Sequence, residues 1–290
     1  SGYVLEHQFD LSNQNLAAWI KDFIKKTVLS FIFSLALIEV LFFLIWNFTG
    51  HWWVFAWAGF ALVSYGVGKI FPVWIIPLFY KYGKVESESL TKRIIDLAAR
   101  YGLPVENVYT LNLSKTTKKA NAAFMGIGRT KRVVLSDTLI QNFSENEIET
   151  VVAHELGHFK HRDIWRQLAL GLVTSLFAFW LAFRVMDPLS GQFGLQGAGD
   201  IASLPLLFLI FYAVSLILMP LQNGFSRWLE RGADRFALQA CPERDIFISC
   251  MEKLGQVNLA NPNPHPVYEW FFYDHPSIHK RIQMAKNRKD

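Results

Sequence analysis

Four apolar runs, each long enough to cross a bilayer as a helix, restrict what this chain can become. They cover residues 28–49, 53–71, 168–186 and 201–221. The first carries one charge, Glu39, and the second is interrupted only by small or weakly polar residues and Lys69, while Pro205 and Pro220 stand near the ends of the fourth. A transmembrane helix needs about 20 such residues. Trp46, Trp52 and Trp53 flank the first two runs, where amphipathic rings favour the lipid–water boundary. The chain of 290 residues is 52% apolar and 15% aromatic, with 18% charged residues, which excludes disorder and demands large burial. Lipid is the expected medium for it, so the chain is read as mainly α, a polytopic α-helical membrane protein. Glu39, a carboxylate at mid-span, is expected to face other helices or a wet cavity.

The basic residues set a sidedness. Residues 1–27 hold three Lys and Arg, 72–165 hold thirteen and 223–290 hold ten, out of 29 in all. Crossing twice between successive basic segments puts all three on one side, with the short loops near Gly50 and at 191–199 on the other. The positive-inside rule makes the basic side cytoplasmic. A net charge of +5 spread in this way gives no reason to expect nucleic acid as a partner. Cys241 and Cys250 are too few for a disulfide scaffold and lie in no CxxC pattern. Residues 1–10 show no signal-peptide pattern, and the missing initiator Met is consistent with a truncated or processed chain.

Between the second and third runs the chain has soluble character. Residues 86–101 read as a helix with Leu90, Ile94, Leu97 and Ala98 on one face, closed by Gly102 and Pro104. Strands are expected at 107–113, 121–125 and 132–135, the last two joined by a turn at 126–131, which makes a small sheet ending in a hairpin. Ser144 with Glu147 forms a capping box, and Ile148, Val151, Val152 and Leu156 mark the helix it opens. On that helix stands His154-Glu155-Leu156-Gly157-His158. Residues four apart share a helix face, so both imidazoles can reach one Zn²⁺. Glu155 flanks the metal, where it can take a proton from a water the ion has acidified and return it to a leaving amine. With 8 His and 13 Glu in the chain, chance would produce this spacing in roughly one such chain in a hundred. Gly157 costs the helix about 1 kcal/mol, which suggests a close approach there.

A catalytic zinc keeps three protein ligands and one open position. The residues three and six beyond the second histidine are His161 and Ile164, not the Gly and His of a metzincin. His161 lies on nearly the same face as His154 and is one candidate for the third ligand. The other follows the fourth run, where Glu230 and Asp234 share a helix face: one carboxylate can bind the ion while the other holds the far N–H of a histidine. Alone, that pair reads equally well as a solvated stripe matched to Arg227, Arg231 and Arg235.

Taken together these residues resemble the CaaX prenyl protease 1 family, membrane zinc endopeptidases that remove the last three residues of prenylated proteins. The resemblance runs the length of the chain: Glu6-His7-Gln8-Phe9 and Leu11-Ser12-Asn13-Gln14, Ile76-Pro77-Leu78-Phe79, Asn121-Ala122, the histidine motif, residues 230–237, and Asp274-His275-Pro276 with Arg281. It implies one Zn²⁺ per chain held by His154, His158 and Glu230, with Glu155 as general base and Asp234 behind a ligand. It further implies Asn121 and Ala122 on the substrate backbone, and His275 and Arg281 facing the reacting carbonyl. The organisation expected is an amphipathic N-terminal segment with two membrane helices in 1–75 and a small β-hairpin-containing zincin-type metalloprotease segment in 76–165. Two further spans fill 166–222, and 223–290 brings the third ligand and a C-terminal catalytic segment. Family members usually have seven spans against four here, as if the first three were missing. The expected partners are a peptide or prenylated protein and the lipid bilayer, in a bacterial inner membrane or the endoplasmic reticulum. Two other readings stand beside it: an HtpX-like membrane-protein quality-control protease, and a non-catalytic transporter or scaffold with structural zinc.

Overall fold

The computed structural model describes residues 2–103, 105–125 and 132–287. Pro104 and the expected turn at 126–131 lie outside these, as do Arg288 and Lys289. In chain order the helices are α1 (Gly2–Gln8), α2 (Leu16–Asn47), α3 (Trp52–Ile70), α4 (Glu88–Arg100), α5 (Asp137–Asn142), α6 (Glu145–His161), α7 (Asp163–Gln192), α8 (Leu204–Ala240), α9 (Arg244–Val257), α10 (Pro266–Phe272) and α11 (Ile278–Lys286). The strands are β1 (Tyr82–Lys84), β2 (Asn107–Leu111), β3 (Ala122–Met125) and β4 (Arg132–Ser136). Among the described residues, four helical stretches are long and apolar enough to cross a membrane: Leu16–Asn47, Trp52–Leu78, Asp163–Gln192 and Ile201–Ala240. Each exceeds the apolar run that announced it, because a helix keeps its internal hydrogen bonds when it passes from lipid to water.

The chain divides into two compact units. One comprises Ser1–Trp19, Phe71–Trp165 and Asn223–Asp290. Its sheet has the order β1-β2-β4-β3, with β1 antiparallel to β2, β2 parallel to β4 and β3 antiparallel to β4, so β1 and β3 are the edges. Leu90, Ile94, Leu97 and Ala98 of α4 enter the core as their spacing requires, together with Val133 and Leu135 of β4 and Ile148, Val152 and Leu156 of α6. α4 starts two residues later than expected because the Ser87 hydroxyl accepts the Leu90 N–H and so caps it. β2 stops at Leu111 because Leu113–Lys115 turns into a 3₁₀ helix. β3 begins at Ala122, one residue past the expected start, and Asn121 instead exchanges backbone and hydroxyl hydrogen bonds with Ser136. β1 had no sequence signal, being three residues long. The capping box at Ser144 and Glu147 is present, with both reciprocal bonds formed.

The other unit comprises Ile20–Ile70 and Arg166–Gln222. Phe42, Ile45, Trp52, Ala182, Met186, Leu207, Ile210 and Val214 form its core. The indole N–H groups of Trp46 and Trp57 donate to the carbonyls of Gly199 and Leu172. Glu39, expected to face helices or a cavity, is exposed on α2.

Candidate active site

The site is assembled where α6 crosses α8. Gly157 is the reason the crossing is close: a Cβ there would stand 3.0 Å from the Ala233 Cα and 3.1 Å from the Phe236 Cβ. Ala153, Ala233 and Ala237 are fully buried beside it. This approach brings the carboxylate of Glu230 to the histidine pair. Among the described residues, the group of metal-ligating side chains gathered within 4.8 Å of one another is His154, His158 and Glu230.

The two Nε2 atoms are 3.1 Å apart, and each lies 3.2 Å from an oxygen of Glu230. His154 Nδ1 meets Asp234 Oδ1 at 2.8 Å, and His158 Nδ1 meets Asp163 Oδ2 at 3.0 Å. A carboxylate only accepts, so each Nδ1 carries the proton and each Nε2 presents a lone pair. Two lone pairs and an anion converging on one point repel unless a cation joins them. Glu230 Oε2 is in addition a buried oxygen without a hydrogen bond. The donor separations are close to the roughly 3.3 Å expected between tetrahedral ligands about 2.0–2.1 Å from a zinc ion. The residues therefore fit a divalent metal. Burial disfavours the imidazolium of His154, but the neighbouring carboxylates of Asp234 and Glu230 outweigh it and push the pKa up to about 9. A cation bound there takes the place of that proton.

Of the remaining expected residues, Glu155, His275 and Arg281 lie beside this point. Glu155 is half-buried on α6, and burial raises its carboxyl above the ordinary range against the pull of His154 and His158. The His275 Nε2 lies 3.3 Å from Glu230 Oε1, and its Nδ1 is bound by Asp274 at 2.8 Å. That carboxylate raises the half-exposed imidazole above its usual value. Arg281 is buried and grips Asp234 with two nitrogens, at 2.9 and 2.5 Å, and its Nη2 is 3.4 Å from His154 Nδ1. It thus stands behind His154. Ala122 opens the edge strand β3, and the Phe124 ring lies 4.6 Å from that of Phe159 on α6. His161 is outside the gathered group, its ring near Gly232 and Phe236.

Asp163 was not foreseen. It follows a left-handed Arg162 (φ 58°) that ends α6 and turns the chain, so that the first residue of α7 points back at His158. The available signal was the need of a ligating histidine for an acceptor on its far nitrogen.

A metal-fitting pair of helix histidines with a remote carboxylate, on a chain with four span-length helices, defines a class: the membrane metalloproteases. Residues 84–289 match the family model of peptidase family M48, and residues 1–81 match that described as the CAAX prenyl protease N-terminal, five membrane helices. The chain belongs to peptidase family M48. It is 32% identical to the uncharacterized metalloprotease YhfN of Bacillus subtilis, over 100% of this chain and 69% of that protein. It is 31% identical to a CAAX prenyl protease 1 homolog of Dictyostelium discoideum, over 96% of this chain and 66% of the relative. The crystal structure of S. mikatae Ste24p superposes with a TM-score of 0.88 at 25% identity, over 99% of this chain and 70% of that one. The chain thus spans about two thirds of the length of these relatives, and its resemblance to the CaaX prenyl protease 1 family is borne out.

Proposed function

We propose that this protein is an integral-membrane zinc endopeptidase that removes the C-terminal tripeptide of prenylated proteins, with its site on the cytoplasmic side. The observation that carries the reading is the convergence of His154, His158 and Glu230 with Glu155 beside them. Zinc held by those three side chains supplies a Lewis acid for the scissile carbonyl and an acidified water. Glu155, raised by burial, accepts the proton of the attacking water and delivers it to the departing amine. His275, its Nδ1 held by Asp274, turns its Nε2 N–H to the oxygen on which negative charge develops. Asp234 and Asp163 hold the ligand rings in one tautomer, and Arg281 balances the charge of Asp234. The substrate lies extended along the free edge of β3, with Asn121 and Ala122 at its backbone.

The prenylated substrate class is supported by the relatives named CAAX prenyl protease 1 homologs. General cleavage of membrane proteins is the competing reading, because the bacterial relative's name specifies a metalloprotease and no substrate. One experiment addresses both. Glu155→Gln is expected to retain zinc and lose about a hundred- to ten-thousand-fold in cleavage rate. A farnesylated peptide should be cut faster than its unprenylated twin by the parent enzyme. Parent-like cleavage by the variant refutes the mechanism, and equal rates on the twins leave general proteolysis.

A further inference from the structure

α10 has the sequence Pro-Val-Tyr-Glu-Trp-Phe-Phe, and four of its side chains, Val267, Tyr268, Trp270 and Phe272, are between 53% and 63% exposed. Its one charged residue points the other way. Glu269 is buried, accepting the Ser277 N–H at 3.0 Å and the Lys280 ammonium at 2.8 Å. The carbonyls at the end of the helix are also satisfied from inside: Arg227 donates to those of Glu269, Trp270 and Tyr273, and Asn223 to that of Phe271. What remains outward is an apolar, aromatic face whose helix has directed its charge and its terminal acceptors inward.

We propose that this face of α10 is seated in the lipid–water interface, its partner being the bilayer itself. The two residues that hold α10 belong to α8, and they follow directly on the apolar run that ends at Leu221. At about 1.5 Å per helical residue, Asn223 and Arg227 stand roughly 3 and 9 Å beyond that run. The polar interfacial layer of each leaflet is about 5–8 Å thick. Asn223 thus lies within that layer and Arg227 at its aqueous rim, so α10 is tied to α8 at the edge of the bilayer, where Tyr and Trp partition preferentially. Two other tryptophans adjoining span ends are likewise exposed, Trp74 within the second span-length stretch and Trp165 at the start of the third. The consequence concerns His275. It follows α10 by three residues, so the bilayer fixes the near end of the segment that carries this imidazole to Glu230.

A nitroxide on Val267→Cys, in the full chain reconstituted into phosphatidylcholine vesicles, tests this. Oxygen, which concentrates in lipid, should relax the label more strongly than the aqueous complex NiEDDA, and a label on Lys92→Cys should show the opposite order. The parent chain with Cys241 and Cys250 serves as blank. An aqueous pattern at 267, or a site that neither reagent reaches because protein covers it, overturns the proposal. If the Cys variant does not fold, brominated phosphatidylcholine added to the parent and to Trp270→Phe gives the same decision. The molar emission quenched should be larger in the parent than in the variant, the difference being the part carried by Trp270, and equal quenched amounts overturn it.

Discussion

His154 shows how much of the site depends on groups that touch no substrate. Asp234 holds its Nδ1, Glu230 approaches its Nε2, and Arg281 compensates the buried charge of Asp234. Asp163 does for His158 what Asp234 does for His154. Replacing such an acceptor frees the ring to rotate or change tautomer, which typically weakens metal binding 10- to 100-fold. Asp163→Asn and Asp234→Asn should both lower zinc affinity by about that factor in competition with a chromophoric chelator. Asp234→Asn should be the worse, since it also deprives Arg281 of its counter-charge. Parent-like affinity in either variant removes the role assigned to that carboxylate. The histidine pair was legible in the sequence because a four-residue spacing alone puts two side chains on one face. Asp163 was not, because a left-handed residue between it and α6 decides where it points.

At the scale of elements, the α6–α8 crossing rests on Gly157. In Gly157→Ala the new methyl would press on the Ala233 backbone at 3.0 Å, and a backbone atom yields less readily than a side-chain end. Removing the glycine favours the helix by up to about 1 kcal/mol, but overpacking costs about 1–3 kcal/mol, so net destabilisation is expected. Thermal unfolding in detergent should show a lower midpoint, together with reduced zinc content as Glu230 moves away. A higher midpoint with full zinc would show that the crossing tolerates the methyl. The start of α6 carries a pH dependence. Burial raises Glu147, but the Lys253 ammonium, the Ser144 N–H and the Ser249 and Ser144 hydroxyls lower it to about 2, from an ordinary 4.5. A carboxylate depressed in the folded state contributes stability above its unfolded value and loses it as the pH falls from 4.5 toward 2. On the order of 2–3 kcal/mol should disappear over that window, allowing for screening. Melting profiles of the parent should steepen there relative to Glu147→Gln, and parallel profiles would refute the assignment. The capping box itself was readable from Ser144 and Glu147. Lys253 and Ser249, which hold the same carboxylate from α9, were not, since nothing local links positions a hundred residues apart.

For the whole molecule, the distribution of Lys and Arg predicts an orientation. A membrane-impermeant maleimide applied to intact cells should label Gly50→Cys, where an added Cβ meets no neighbour, and should reach Lys92→Cys only after permeabilisation. The reverse pattern would invert the protein and place its site outside. Spans and the histidine motif follow from the sequence by itself, because hydropathy and helical period are properties of neighbouring residues. Which third side chain joins the histidine pair is a different kind of question. His161 lies on the same helix and Glu230 is 72 residues beyond His158, and local spacing favours neither decisively. Only the tertiary structure chose Glu230, through the contact of Gly157 with Ala233: periodicity assigns a residue to a face, and packing alone determines which two faces meet.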